Sequence, residues 1–145
     1  MELNLLIDTN VALDFILKRE PFFKMSAQII SLTGNDNINE FVSATTVTDI
    51  YYIARRHLKD RKIVMDMLKD FLQTVKVANV THREIQIALN LDWKDFEDSI
   101  QYAVALLNGF DAIITCNMEG FDADDAVKIF TSEEFCKHID NTLKE

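Results

Sequence analysis

The chain has 145 residues, 48% of them hydrophobic, with three Gly, one Pro and a formal net charge of −9. That length suits one domain with a proper core, spanning 1–145, and the scarcity of Gly and Pro beside so many aliphatics favours helices over an all-β architecture. The acidic balance excludes a protein that grips nucleic acid over a wide basic surface, but not chemistry on phosphates, because acids gathered round divalent cations are electrically compensated.

No basic segment followed by a long apolar one opens the sequence, and no apolar run approaches spanning length, so the expectation is a soluble cytoplasmic protein. Cys116 and Cys136 are too few for a disulfide framework and lack metal-ligand spacing, so each is expected to be a small buried hydrophobe.

In chain order, Leu5-Leu6-Ile7 reads as a buried parallel strand that ends abruptly in Asp8-Thr9-Asn10. Ligands of open α/β sheets bind beyond the carboxyl ends of the strands, so Asp8 is either a functional carboxylate or the cap of the next helix. Residues 10 to 18 form that helix, with too many apolar positions for one exposed face. Asp14 lies one turn after Asn10, either in an acidic cluster or facing solvent. Pro21 suits the first turn of a second helix to about Leu32, and residues 34 to 37 make a turn.

Residues 41 to 44 read as a second strand and 45 to 57 as a helix with Val47, Ile50, Tyr51 and Ala54 at helical spacing. Asp49 in its first turns repeats the placement of Asp8, although the helix dipole alone favours acids there. Arg55, Arg56, His57, Lys59, Arg61 and Lys62 form the only basic run. It is either a solvated helix end or, through Arg55 and Arg56, a contact to a phosphate backbone.

A helix follows over 63 to 71, a short strand over 75 to 77, and a capping box Thr81-His82-Arg83-Glu84 that opens a helix to about Asn90. His82 is expected to be exposed, and none of the three histidines has a partner at ligand spacing. The densest acidic segment, residues 92 to 98, opens a helix carrying Ile100, Ala103, Val104 and Leu107. Asp95 and Asp98 are neighbours on one face of it. The plain alternative makes Asp95 the N-cap and Glu97 or Asp98 a dipole-favoured acid. After Gly109, residues 112 to 115 form a buried strand ending at Cys116-Asn117, Phe121-Asp122 lies in a loop, residues 127 to 130 make a last strand, and Thr131 starts a terminal helix.

Alternating strands and helices predict a three-layer α/β/α fold, with a mostly parallel sheet of four to five short strands. In such a sheet Asp8, Asp49, Asp98 and Asn117 can converge on one edge. Three carboxylates at close range repel unless a cation intervenes, and an oxygen-only set selects Mg²⁺ or Mn²⁺.

These motifs resemble the PIN-domain family of ribonucleases, especially the small VapC-type bacterial toxins. Ile7-Asp8-Thr9-Asn10-Val11-Ala12-Leu13-Asp14 is similar to the family's opening motif, and Ser43-Ala44 with Thr48-Asp49-Ile50 to its second. Asp95-Phe96-Glu97-Asp98 through Ala103 resembles the third, and Ile113 to Asn117 with Asp122 the fourth, so the likeness runs from about residue 3 to residue 137. The chain departs from the pattern at Asp49, where the toxins commonly have Glu, and at Asn117, where many relatives have Asp.

The resemblance implies metal-assisted hydrolysis of single-stranded or looped RNA. Asp8, Asp49, Asp98 and Asn117 would be the catalytic and metal-binding residues, supported by Thr9, Asn10, Asp14, Asp95, Thr115 and Asp122. It also implies an antitoxin protein partner and a homodimer. Two other classes compete: a non-catalytic PIN domain that binds RNA or a protein, and a Mg²⁺-dependent phosphotransfer domain. A receiver would need an acidic pair after the first strand, and a haloacid-dehalogenase-like phosphatase an Asp-x-Asp, neither of which Asp8-Thr9-Asn10 supplies.

Overall fold

A computed structural model describes residues 2–35, 37–121 and 126–143. Five parallel strands form one sheet: β1 (Leu3–Ile7), β2 (Ile38–Ser43), β3 (Lys76–Ala78), β4 (Ala112–Thr115) and β5 (Lys128–Thr131), in the order β3-β2-β1-β4-β5. β1 is central, with Leu5 opposite Glu40 on one side and Ala112 on the other. Because both its faces are covered, Leu5, Leu6 and Ile7 are completely buried, which is why this strand reads as a continuous apolar run.

The helices are α1 (Thr9–Ile16), α2 (Phe23–Ser31), α3 (Ala44–Leu58), α4 (Arg61–Phe71), α5 (His82–Leu91), α6 (Phe96–Leu107) and α7 (Ser132–Leu143). Alternation along the strands divides the core in two. Leu5, Ile7, Val42 and Ile114 pack with α1 to α4 and α7, while Leu6, Ala78 and Ile113 pack with α5 and α6 on the opposite face. The result is the three-layer α/β/α arrangement that the strand and helix order predicts. Among the described residues no helix is long and apolar enough to cross a membrane.

Several boundaries differ from the sequence reading, and each has a local cause. α2 begins at Phe23, two residues after Pro21, so the proline sits in the approach and not in the first turn. β2 begins at Ile38, because Asn39 and Glu40 enter the ladder although neither favours a strand. Glu40 is only 1% exposed, on the face shared with Leu5 and Val42, and neither of its carboxyl oxygens finds a hydrogen-bond partner. Burial without a partner pushes its pKa up to about 9.

Cys116 is not the buried hydrophobe expected. It is exposed just past β4, where the chain has left the sheet, and its Sγ reaches back to Asp14 Oδ2 at 3.4 Å. The residue is exposed as a whole, but its Sγ is turned inward, and this partial burial together with the neighbouring Asp14 carboxylate pushes the thiol pKa up to about 12. Cys136 is partly exposed.

The connections that position a site are those leaving the carboxyl ends of the strands. From β1 the chain proceeds outward to β2 and β3 on one side, then crosses to β4 and β5 on the other. That reversal leaves a crevice beside the end of β1, where α1, α3 and α6 all present their N-terminal turns.

Candidate active site

Asp8 ends β1 and caps α1: its Oδ1 accepts from the Thr9 backbone N–H at 2.8 Å. Two further donors come from distant segments, Gln101 Nε2 of α6 to Oδ1 at 3.1 Å and Thr115 Oγ1 of β4 to Oδ2 at 2.8 Å. The carboxylate is therefore held by three donors in a site only 7% exposed, so the residue that caps α1 is also tied to α6 and β4.

Asp8 shares an open cavity of about 480 Å³ with Thr9, Asn10, Asp49, Tyr52, Ile53, Arg56, Asp95, Glu97 and Asp98. Asp49 is delivered by the second turn of α3, and Glu97 and Asp98 by the first turn of α6, whose N-cap is Asp95. Asp95 Oδ1 accepts from the Asp98 backbone N–H at 3.0 Å. The Gly120 backbone closes the other side of Asp98 so tightly that a Cβ there would overlap Asp98 Oδ2.

Hydroxyls fix the floor. Thr9 Oγ1 donates to Glu97 Oε1 at 3.0 Å, so its one proton is committed and Thr46 Oγ1 must donate to Thr9 across 2.9 Å. Thr46 in turn accepts from Ser43 Oγ and from Gln101 Nε2, each at 3.0 Å. A buried chain of hydrogen bonds thus runs from the end of β2 to the Glu97 carboxylate.

Crowding of acids has an electrostatic signature. The Asp98 pKa is pushed up to about 7, first by burial and then by the Asp8, Asp95 and Glu97 carboxylates. Glu97 is also raised, by burial of its carboxyl end and by Asp49 and Asp8; Asp49 lies within hydrogen-bonding reach of it, while the Thr9 hydroxyl opposes the rise. Among the described residues no group of three or more His, Cys, Asp or Glu side chains is arranged to hold an ion as it stands. The all-oxygen donor set and the mutual repulsion nonetheless suit a hard divalent cation, and the carboxylates have to draw together around it.

The structure does not bring every residue singled out in the sequence to this cavity. Asp14 neither joins the acids nor faces solvent: it is buried outside the cavity, where Arg19 Nε donates to its Oδ1 at 2.8 Å. Asn117 does not line the cavity. Its Oδ1 accepts from the Glu119 N–H at 2.9 Å, capping a short 3₁₀ turn, and its own backbone N–H donates to Thr115 Oγ1 at 3.3 Å. Of the arginine pair, Arg56 lines the cavity and Arg55 does not. Asp122 lies outside the described residues.

Glu97, Gln101, Tyr52 and the Ser43–Thr46 pair complete the site without having been singled out for it. Gln101 had a legible signal: an amide among Ile100, Tyr102 and Ala103 on the inward side of α6, three and four residues after the acids.

A parallel sheet whose carboxyl edge gathers carboxylates from α1, α3 and α6 defines an α/β protein with an acidic cavity at its topological switch point. The chain belongs to the PIN domain family, whose profile matches residues 4–119. It is similar to Ribonuclease VapC1 of Aquifex aeolicus (strain VF5), with 26% identity over 142 residues, covering 94% of this chain and 95% of the relative. Its fold is similar to that in the structure of VapBC-1 from nontypeable Haemophilus influenzae, with a TM-score of 0.71 at 14% identity over 90% of this chain and 99% of that one. A toxin-antitoxin complex from Klebsiella pneumoniae gives 0.65 at 19% identity over 88% and 97%.

Proposed function

We propose that this chain is a divalent-metal-dependent endoribonuclease that hydrolyses phosphodiester bonds in single-stranded or looped RNA, as the toxin of a toxin–antitoxin pair. The observation that carries the reading is the meeting of Asp8, Asp49, Glu97 and Asp98, from three separate helix starts, in one open cavity. Family membership supports it, as do the ribonuclease name of the relative from Aquifex aeolicus and the toxin-antitoxin complex of like fold from Klebsiella pneumoniae.

Asp8, Asp49 and Asp98 would hold one or two Mg²⁺ or Mn²⁺ ions. When bound, such an ion supplies a hydroxide at neutral pH and offsets charge on the phosphate oxygens. The protein's own work is positioning. Thr115 and Gln101 keep Asp8 from rotating, Thr9 orients Glu97, and Asn117 holds the turn that aims Thr115. Glu97, with its raised pKa, is placed to take the proton of an attacking water. Asn10 and Asp95 frame the cavity, and Arg56 faces the incoming phosphate. A small antitoxin partner, a homodimer and a cytoplasmic location belong to the same reading.

The test is cleavage of labelled RNA in Mn²⁺ by the wild type, Asp8→Asn and Asp98→Asn. Both variants are expected to lose activity, and unchanged cleavage by the two defeats the proposal. A non-catalytic PIN domain is the second reading, favoured by the acids not yet being gathered for an ion and by the turned-away Asn117 amide. Absence of Mn²⁺ binding in calorimetry decides for it.

A further inference from the structure

Asp49, Tyr52, Ile53 and Arg56 all line the acidic cavity, and their spacing makes them one stripe along α3. The stripe changes character along its length, from a carboxylate through an aromatic ring to a guanidinium. Tyr52 is 62% exposed, an unusual position for so large a ring. It is nonetheless steadied: Tyr51, packed against the core, meets it edge to face, with centroids 5.1 Å apart and planes at 90°. An edge contact of that kind orients the ring and leaves most of it open to the cavity.

Arg56 is the only cation among the described residues that line this cavity, and it forms no ion pair among the described residues. In a chain of net charge −9, a guanidinium left unpaired beside five carboxylates of its own cavity is available to an outside anion.

Resting on the ribonuclease reading above, we propose that Tyr52 and Arg56 form a nucleotide subsite. The Tyr52 ring stacks on an unpaired base next to the scissile bond, and Arg56 takes the phosphate one turn further along α3. A base can lie on the ring only after leaving its neighbours, so the subsite selects single strands and loops by geometry, with no sequence readout. It also works without the metal, since neither residue is an acid. Arg56 supplies the electrostatic attraction that the rest of the cavity withholds.

The test is titration of a fluorescently labelled, 2′-O-methylated oligoribonucleotide, which resists cleavage, in the presence of EDTA and read by anisotropy. Wild type should bind the single strand and bind a duplex of the same sequence more weakly. Tyr52→Ala should weaken single-strand binding roughly tenfold or more, the loss expected for one stacked base, whereas Tyr52→Phe retains it. Arg56→Gln should weaken binding and flatten its salt dependence, while Tyr52→Ala leaves the salt slope as in wild type. In cleavage assays Tyr52→Ala should act chiefly on KM. Tyr52 is exposed, so its variants should keep the wild-type melting temperature.

Single-strand binding by Tyr52→Ala equal to wild type, or a duplex bound as tightly as the single strand, overturns the subsite. If wild type cleaves RNA yet Tyr52→Ala binds and cleaves as wild type does, only the subsite falls. If wild type binds the strand in a Tyr52-dependent way yet cleaves nothing with Mn²⁺, the nuclease reading falls and the subsite stands.

Discussion

Replacing Glu40 by Gln should remove most of the alkaline sensitivity of the fold. The Glu40 pKa rises from an ordinary 4.5 to about 9, because the carboxyl is buried on the helix-covered face of β2 without a partner. Between those values the folded state keeps a proton that the unfolded chain has released, so the unfolded state binds fewer protons and stability falls as pH rises. The slope is about 1.4 kcal/mol per pH unit for one group. Stability present in full below pH 4.5 is thus reduced by about 3 kcal/mol at pH 7 and about 5 kcal/mol at pH 8, a large share of the roughly 5–15 kcal/mol that holds a domain together. Gln has the shape of the protonated acid and cannot ionise. The two proteins should therefore match near pH 4.5 and separate steadily above it, while every other titrating group cancels in the comparison. Urea denaturation followed by circular dichroism at pH 5, 6.5 and 8 measures this through the midpoint at constant m. Parallel pH profiles for wild type and Glu40→Gln would refute the reasoning.

Gln101→Met keeps the buried volume but removes the donor shared by Asp8 and Thr46. RNA cleavage should fall about 10- to 100-fold, as for other groups that orient metal ligands, with the melting temperature little changed; undiminished cleavage would count against the role given to Gln101. Gly120→Ala forces a methyl into the space of Asp98 Oδ2, so Mn²⁺ binding measured by calorimetry should weaken sharply. Asp98, pushed up to about 7, carries a proton at pH 6 that an ion must displace. Mn²⁺ affinity should accordingly rise up to tenfold per pH unit below 7 and level off above it, and equal affinities at pH 6 and 8 would contradict this. Cys116, with its thiol pushed up to about 12, should react with iodoacetamide at pH 8 far more slowly than a free thiol.

The alternation of buried strands and helices was legible because it depends on apolar periodicity, which Leu5 to Ile7 and Ala112 to Thr115 display without interruption. The approach of Asp8 and Asp49 follows from the same logic, since each lies near a helix start beyond a strand, whereas Asp98 shares only the helix start, its helix α6 following α5. What periodicity could not convey was the side-chain environment. Glu40 looks like a turn residue in sequence, and only the ladder to Leu5 reveals it as buried. Asn117 occupies the expected register, yet one backbone donor, the N–H of Glu119, turns its amide away. Asp14 has the right helical spacing from Asn10, but the chain bends after α1 and brings Arg19 to it instead. Glu97 and Asp98 are adjacent and chemically alike, so the division of labour between them required the position of Thr9.

The central strand precedes the other four described strands in the chain, yet one of its two neighbours is the fourth of the five. A ribosome releases β1 early, with β2 soon after, but Leu5 waits for Ala112 before its other edge is covered. Asp8 and Asp49 are translated long before Gln101 and Thr115, the residues that lock Asp8 in place. A nascent or truncated chain ending short of β4 carries the earliest acids without the pocket they belong to. The early acids therefore acquire the groups that hold Asp8 only once α6 and β4 have been made and paired.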